Sequence, residues 1–260
     1  MGGEVLVRSS GGVAHLSLSR PEARNALTPG LIDRALAALG EVGRDAGTRV
    51  VVVSGAGGAF CAGYDVTFLG SPGTADAGIE RDRVEALCSA VRALRQPTIA
   101  MVDGVATGGG CDLAVACDLR FASERARFGM PPARLGILSS REGMERLAAL
   151  VGPAVAKELL FSGELLDASR ALAVGLVNRL HPAEALAEET QLFAEAIAAN
   201  APLSVAATKL VLDLVAGGGS LDADAEEAIE EAQLRVWSSA DASEGPKAFR
   251  ERRPPRFRGR

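Results

Sequence analysis

Two glycine-rich stretches each follow a short apolar run. "RVVVVS" leads into "GAGGAFCAGYD" (residues 55–65), and "TIAMVDG" leads into "VATGGGCD" (residues 105–112). Glycine allows turns and close backbone approaches that a Cβ would obstruct. Two such turns at the ends of neighbouring strands can each aim a backbone N–H at one point, which is how enzymes stabilise a developing oxyanion. The spacing predicts an oxyanion hole, and a helix predicted over residues 111–117 would add the field of its N-terminus.

Three other functional interpretations of the sequence fail in detail: a dinucleotide-binding fingerprint, a phosphate-binding loop and a catalytic Ser-His-Asp arrangement. A dinucleotide fingerprint starting at Gly55 would need its third glycine where Phe60 stands, and neither stretch contains the Gly-Lys-Ser or Gly-Lys-Thr of a phosphate-binding loop. A Ser-His-Asp arrangement would need one of only two histidines, His15 and His181. Tight turns or close backbone packing remain the structural alternative for each stretch taken alone.

Composition limits the class of protein. The 260 residues carry a net charge of -5, no run reaches the roughly 18 apolar residues of a membrane span, and the N-terminus lacks the pattern of a signal peptide. The four cysteines are not spaced as zinc-ligand doublets. We therefore expect a cytoplasmic protein with reduced thiols, no metal, and neither nucleic acid nor membrane as a partner. The one basic run is residues 250–260, "RERRPPRFRGR", which holds six arginines.

The elements that would position the glycine turns follow from apolar periodicity. "EVLVRSSGGVAHLSLS" predicts a hairpin, and apolar residues at helical spacing after Pro29 predict a helix before the next buried strand. The order strand, strand, helix then returns. From about Gly152 onward we expect helices only, over residues 183–199, 203–215 and 221–237, with a mobile loop at 69–78 and a hinge at 217–219.

A family resemblance appears once these stretches are taken in order. "SRPEARNAL", "GAFCAGYDV", "PTIAMVDGVATGGGCDLAVACDLRFASERARFGM", "ALAVGLVN" and "EGPKAFRERRPPRF" resemble the enoyl-CoA hydratase/isomerase (crotonase) superfamily. The resemblance implies an α/β fold, a spiral of repeated strand-strand-helix units over residues 1–200, with an α-helical trimerisation lobe over residues 201–260. It also implies acyl-CoA thioesters as substrates, no separate cofactor because coenzyme A is part of the substrate, and a homotrimer or a dimer of trimers.

The resemblance also implies roles for individual residues. The two oxyanion-hole N–H groups would belong to Tyr64 and Gly109. The substrate and its coenzyme A portion would be bound by Arg24, Ala26, Ala62, Gly63, Asp65, Val66, Pro132, Leu135, Ser139, Phe249 and Arg252. The arginine-rich tail would then lend positive charge to the phosphates of coenzyme A, and nucleic acid is the alternative ligand for such a basic run.

The acid-base residues depart from the family pattern. Hydratases of the superfamily use two glutamates, and here the first position holds Asp112 and the second holds Pro132, which cannot transfer a proton. We expect Asp112 to act in catalysis, with Glu142 in "LSSREGMERL" as a candidate for the missing group or as a solvated loop carboxylate. Hydration or double-bond isomerisation of an enoyl-CoA is the first hypothesis.

Two alternatives remain open. Decarboxylation of a malonyl-type acyl-CoA needs no base, although Ser139 stands where the similar decarboxylases carry tyrosine. A non-catalytic acyl-CoA-binding protein is the alternative from outside the enzymes.

Overall fold

The computed structural model describes residues 3–68, 76–216 and 221–260, with side chains described from residue 82 in the second range. The strands are β1 (Glu4–Ser10), β2 (Val13–Ser19), β3 (Val50–Gly55), β4 (Thr98–Val102), β5 (Val105–Thr107), β6 (Leu119–Ser123), β7 (Arg127–Gly129), β8 (Leu165–Asp167) and β9 (Arg179–His181). The helices are α1 (Pro29–Arg44), α2 (Asp76–Arg92), α3 (Gly109–Ala116), α4 (Pro132–Leu135), α5 (Arg141–Ser162), α6 (Ala168–Ala173), α7 (Leu186–Ala198), α8 (Pro202–Val215), α9 (Ala223–Trp237) and α10 (Ala240–Arg250).

The predicted hairpin is confirmed. β1 and β2 pair antiparallel from Glu4 with Ser19 to Ser10 with Val13. The connection consists of Gly11 and Gly12, with φ of 60° and 83°. Two residues with positive φ form the tight turn that matches the twist of a hairpin, and glycine adopts that backbone at little cost.

A six-stranded sheet forms the centre of the protein, in the order β1-β2-β3-β4-β6-β9, and every pairing after the hairpin is parallel. β3 reads Val-Val-Val-Val because side chains on both of its faces are buried, as expected for a central parallel strand. One face packs into the main core with α1, α2 and α3, and the other packs against α7. The parallel direction brings the carboxyl ends of β3 and β4 to the same edge.

A second sheet of three short strands, β5-β7-β8, lies beyond that edge. The chain runs β1-β2-α1, then β3-α2, then β4-β5-α3 and β6-β7-α4, so strand-strand-helix units recur as predicted, except that an isolated bridge from Cys61 to Ala106 takes the place of a second strand after β3. Each unit places its second strand and the start of its helix next to the preceding unit. This spiral brings the two glycine-rich turns together.

The chain after Gly152 is not purely helical, so that expectation is wrong. β8 joins the small sheet and β9 becomes the last strand of the large one. Gly152 itself, with φ of 76°, breaks the helical backbone within α5. The predicted hinge at 217–219 lies outside the described residues, and of the predicted loop at 69–78 only the backbone of residues 76–78 is described, as the start of α2.

Helices α8, α9 and α10 follow the spiral. Lys209 of α8 connects them to the sheet, because its Nζ donates to Asp118 Oδ2 at 2.8 Å while that carboxylate accepts from the backbone N–H of Thr98 at 2.7 Å. Large apolar side chains on α8 and α9 are exposed, including Leu212, Leu234 and Trp237. No helix in the described ranges is by itself long and apolar enough to cross a membrane; α7 and α8 pass that test only together, across a bend of 104°.

Candidate active site

The first glycine turn, residues 62–64, is fixed by backbone hydrogen bonds to β5. The N–H of Cys61 donates to the carbonyl of Val105 at 3.0 Å, and the N–H of Thr107 donates back to the carbonyl of Cys61 at 3.0 Å. The Thr107 hydroxyl donates to the carbonyl of Ala62 at 3.0 Å. Gly63 has φ of 95°, and a Cβ there would lie 2.6 Å from the carbonyl oxygen of Thr107. Only glycine therefore fits this turn.

The second glycine turn forms the N-terminus of α3, which begins at Gly109, two residues earlier than predicted. Gly108 is the N-cap with φ of 51°, and nothing lies within 4 Å of the position a Cβ would take. A Cβ on Gly110 would overlap the carbonyl oxygen of Cys61. Gly110 therefore permits backbone-to-backbone packing, and Gly108 leaves open space beside the helix N-terminus, which the predicted oxyanion hole requires.

The two turns bring the predicted donor residues side by side. A Cβ built on Gly109 would lie 3.5 Å from the backbone nitrogen of Tyr64, and one built on Gly63 would lie 3.3 Å from the nitrogen of Gly109. Gly109 is the first residue of α3, so its N–H has no acceptor within the helix. An oxyanion at this point would also experience the positive end of the helix dipole.

Asp112 lies in the first turn of α3, three residues after Gly109 and therefore on the same side of the helix. Its side chain is 9% exposed. Burial raises the pKa of Asp112 to about 7, the positive charge of Arg146 opposes that rise, and the negative charge of Glu85 adds to it. A carboxyl group with a pKa near neutrality can both accept and donate a proton at physiological pH.

The charges that face Asp112 are an ion pair between α2 and α5. Arg146 donates to both carboxylate oxygens of Glu85, at 2.6 and 2.7 Å. The hydroxyls of Ser140 and Ser89 donate to Glu85 at 3.0 and 3.1 Å. Burial disfavours the ionised form of Glu85, but these hydrogen bonds and the Arg146 charge keep its pKa below the usual range. The pair therefore carries fixed charges close to a carboxyl group that titrates.

Glu142 is exposed in the first turn of α5, next to Gly143. A Cβ on Gly143 would lie 2.7 Å from Asp112 Oδ1, so the start of this helix borders the Asp112 carboxyl. A cavity of about 340 Å³ opens beside it, lined by Asp82, Glu85, Ser140, Arg141 and Glu142.

Pro132 begins α4 and is buried, whereas Leu135 of α4 is exposed and Ser139 is half-buried.

The predicted binding residues near the first turn divide into two kinds. Arg24 is exposed, and its backbone lies in the left-handed region with a φ of 48°. Its carbonyl accepts a hydrogen bond from the N–H of Ala62 at 2.9 Å. Val66 is exposed as well. The carboxylate of Asp65 is instead engaged within the protein: it accepts from Arg20 at 2.6 Å and from the Thr67 hydroxyl at 2.7 Å. The carbonyl of Ala26 also accepts from Arg20, at 3.3 Å.

Asn25 is a residue that the sequence reasoning missed. Its side chain is fully buried, and its Nδ2 donates to the carbonyls of Ala56 and Ala59, both at 2.8 Å. Its Oδ1 accepts from the N–H of Arg20 at 2.8 Å. Asn25 thereby attaches the segment before α1 to the first glycine-rich loop. The backbone of Asn25 has a φ of 57°, which asparagine tolerates better than most residues. An asparagine in the loop before α1 is therefore the one signal in the sequence that could have indicated this position.

Phe249 and Arg252 lie at the end of α10 and just beyond it, both exposed. The arginine-rich tail folds back on α10: the N–H groups of Arg258 and Gly259 both donate to Asp241 at 2.7 Å, and Arg253 forms a two-pronged ion pair with Glu244. No described hydrogen bond or ion pair connects the tail with the residues around Asp112. The tail is an ordered part of the fold.

The remaining nucleophile candidates are engaged or inert. Cys61, Cys88, Cys111 and Cys117 are all buried and free. Burial raises the pKa of Cys61, Cys111 and Cys117 to about 12, so these thiols stay protonated. His15 is hydrogen-bonded to Gln191 at 2.6 Å. Within the described part of the chain, no three potential metal ligands come together.

A strand-strand-helix spiral with two glycine turns converging at one edge defines a crotonase-type protein, and comparison with known proteins agrees. The chain matches the model of the enoyl-CoA hydratase/isomerase family over residues 8–260. It is 37% identical over 261 residues to enoyl-CoA hydratase domain-containing protein 2 of Bos taurus, covering 95% of this chain and 85% of the relative. It is 35% identical over 254 residues to the short-chain-enoyl-CoA hydratase of Clostridium acetobutylicum, covering 96% and 95%.

A solved structure of an enoyl-CoA hydratase from Bacillus anthracis superimposes with a TM-score of 0.92 at 32% identity, covering 99% of this chain and all of that one. The chain belongs to the enoyl-CoA hydratase/isomerase family. The resemblance inferred from the motifs is confirmed, and with it the fold class and an enzyme of the hydratase/isomerase type.

Proposed function

We propose that this enzyme adds water to a 2-enoyl-CoA, or shifts the double bond of an enoyl-CoA, with Asp112 as its only acid-base residue. The observation that carries the proposal is the position of Asp112: a buried carboxyl group with a pKa of about 7, on the same helix turn as Gly109. In this proposal the N–H groups of Gly109 and Tyr64 donate to the thioester carbonyl oxygen, which gains negative charge when the enolate forms.

One carboxyl group suffices for either reaction because each reaction returns the proton it takes. In hydration, the Asp112 carboxylate accepts a proton from water as the water oxygen bonds to the β carbon, and the electron pair of the double bond moves into the enolate. The protonated Asp112 then delivers that proton to the α carbon. In isomerisation, Asp112 removes a proton from one carbon and returns it to another. With a pKa near 7, Asp112 can both accept and donate the proton at neutral pH. The reaction therefore does not require a second acid at the position that Pro132 occupies.

Decarboxylation of a malonyl-type thioester fits the charges less well. Among the described residues, Asp82, Glu85 and Glu142 line the cavity beside Asp112, the charge of Glu85 is balanced by Arg146, and the Arg141 guanidinium is already paired with Glu145 at 2.6 Å. A free carboxylate on the acyl group would therefore meet no unpaired guanidinium among the described residues of this lining. The same charges favour an uncharged acyl chain.

The proposal extends to assembly and location. The exposed apolar side chains of α8 and α9 form a face suited to contact between copies of the chain, which supports a homotrimer or a dimer of trimers. Coenzyme A enters as part of the substrate, and Arg24, Phe249 and Arg252 are exposed and therefore available to it. Cytoplasmic location, and the absence of membrane and nucleic-acid partners, belong to the same proposal.

The test is turnover of three thioesters by the wild-type protein. We expect crotonyl-CoA to lose the absorbance of its conjugated double bond, or a 3-enoyl-CoA to gain it, and methylmalonyl-CoA to release no CO₂. Asp112→Asn should lower kcat by about 10²- to 10⁴-fold, whereas Asp224→Asn, the same change at an exposed position of α9, should not. CO₂ release, or full activity of Asp112→Asn, would overturn the proposal. Loss of activity in Glu142→Gln alone would move the role to Glu142.

A further inference from the structure

A second cavity, of about 200 Å³, lies at the opposite end of the parallel strands from the glycine turns. It is bordered by residues 45–49 just before β3 and by residues 95–97 just before β4, together with parts of α8, α9 and the C-terminal tail. The glycine turns follow the carboxyl ends of the same strands. The cavity is therefore separate from the candidate active site.

Four arginines from four separate segments line this cavity: Arg49, Arg95, Arg235 and Arg258. Arg49 is held by two backbone carbonyls, those of Ala198 at 2.9 Å and Phe257 at 2.8 Å. In the part of the chain that the structure describes, none of the four guanidinium groups forms an ion pair with a carboxylate. Four positive charges around one small space, three of them on exposed side chains, attract an anion that is placed between them.

Among the described residues of the lining, one acidic side chain, that of Asp45, offsets part of this charge, so four arginines against one carboxylate leave a net charge of +3. The Asp45 carboxylate accepts from the Thr48 hydroxyl at 2.7 Å and from the Gly47 N–H at 2.9 Å. Its hydrogen bond from Thr48, with that from Gly47, lowers its pKa below the usual range. Asp45 is thus committed to the turn that precedes β3.

Gln96 provides a second, independent observation. It lines the cavity and is only 6% exposed. Its Nε2 faces the carbonyls of Val42, Gly43 and Thr48 at 3.4 Å, while its Oε1 is buried with no hydrogen-bond partner among the described residues. A buried acceptor without a donor is costly. The hydroxyl of a partly protonated phosphate group would supply the donor.

We propose that this cavity binds a phosphoryl group, held by Arg95, Arg235 and Arg258 and positioned against Arg49 and Gln96. Guanidinium groups match the oxygens of phosphate with paired hydrogen bonds. The volume is below that of pockets for drug-sized ligands, so it accommodates inorganic phosphate or the phosphoryl end of a larger molecule. Because the lining comes from the sheet, α9 and the tail, a bound phosphoryl group would connect these three parts. The proposal does not depend on the reaction catalysed.

The test is isothermal titration of the full-length protein with inorganic phosphate in low-salt buffer, with ADP as a second ligand. Arg95→Gln and Arg258→Gln remove side chains that make no described hydrogen bond, so both variants should unfold like the wild type in the absence of phosphate. Each should raise the Kd for phosphate by about tenfold, the effect expected for one charge-assisted hydrogen bond. Arg8→Gln, the same change at an exposed position of β1, should leave the Kd within about twofold.

Binding of ADP as tight as that of phosphate would identify the ligand as the phosphoryl end of a larger molecule, and binding of phosphate alone would identify the free anion. The proposal is overturned if phosphate does not bind, or if Arg8→Gln weakens binding as much as Arg95→Gln does. If phosphate does not bind and Arg95→Gln also changes the oligomeric mass, the proposal is overturned in favour of pairing between these arginines and another copy of the chain.

Discussion

Removing the Asp112 carboxyl should change how protein stability depends on pH. In the unfolded chain this carboxyl group releases its proton near its ordinary pKa of 3.8, whereas burial raises the pKa in the folded protein to about 7. The folded state therefore binds the proton more tightly, and the stability gained from it is fully present below pH 3.8 and lost as the pH rises through 7. Each tenfold difference in proton affinity corresponds to about 1.4 kcal/mol, so holding Asp112 ionised above pH 7 costs on the order of 4 kcal/mol.

Urea unfolding of the wild type and of Asp112→Asn at pH 5 and pH 8 measures this cost. Between these two values the wild type should lose roughly 2.5 kcal/mol that the Asn variant, which has no proton to release, does not lose. Asp224→Asn, at an exposed position, should follow the wild type. If Asp112→Asn and the wild type show the same pH dependence to within about 0.5 kcal/mol, the Asp112 carboxyl is solvated in the folded protein and our account of its pKa is wrong.

Three further predictions concern the same site. Gly109→Pro removes one N–H at the first position of a helix, where proline is tolerated, so kcat/KM should fall about 10²- to 10³-fold; a Cβ there lies 3.1 Å from Val84 Cγ1, so an unfolding curve accompanies the assay, and near-normal activity would exclude Gly109 as a donor. Gly110→Ala forces a methyl group onto a backbone carbonyl of the facing turn, so a thermal melt should show destabilisation of about 1–3 kcal/mol, and an unchanged Tm would contradict the contact. Glu85→Gln should lower the pKa of Asp112 and Arg146→Met should raise it, so the midpoints of the two pH-rate profiles should move in opposite directions, and movement in the same direction would refute the charge arrangement.

The sequence predicted the features that depend on neighbouring residues. The hairpin followed from alternating apolar residues around two glycines, and the convergence of the two glycine turns followed from their places at the ends of buried strands, whereas the family resemblance assigned the donors to Tyr64 and Gly109. β8 and β9 were missed because three residues are too few to show a period. Each becomes a strand only because an edge of an existing sheet accepts it.

The charge environment of the site could not be predicted from the sequence. Glu85 and Arg146 are 61 residues apart, and nothing local to either indicates that they form a pair facing Asp112. The tail shows the same limit. Its six arginines indicated an anionic ligand, yet Arg253 binds Glu244 and the backbone after Phe257 binds Asp241. Long-range packing decides which charges are free, and periodicity carries no information about it.

The contact between Gly110 and the carbonyl of Cys61 means that one part of the candidate site is determined by the backbone and another part by side chains. In the mechanism we propose, the position of the two N–H donors is set by contacts between backbone atoms, so it does not depend on which side chains face the substrate. Proton-transfer residues can then be shortened, as at Asp112, or lost, as at Pro132, without moving the place where the enolate oxygen would sit. For protein engineering, the chain is therefore a scaffold on which a new reaction can be selected by changing a few side chains, while the backbone N–H groups proposed to bind the enolate oxygen stay in place.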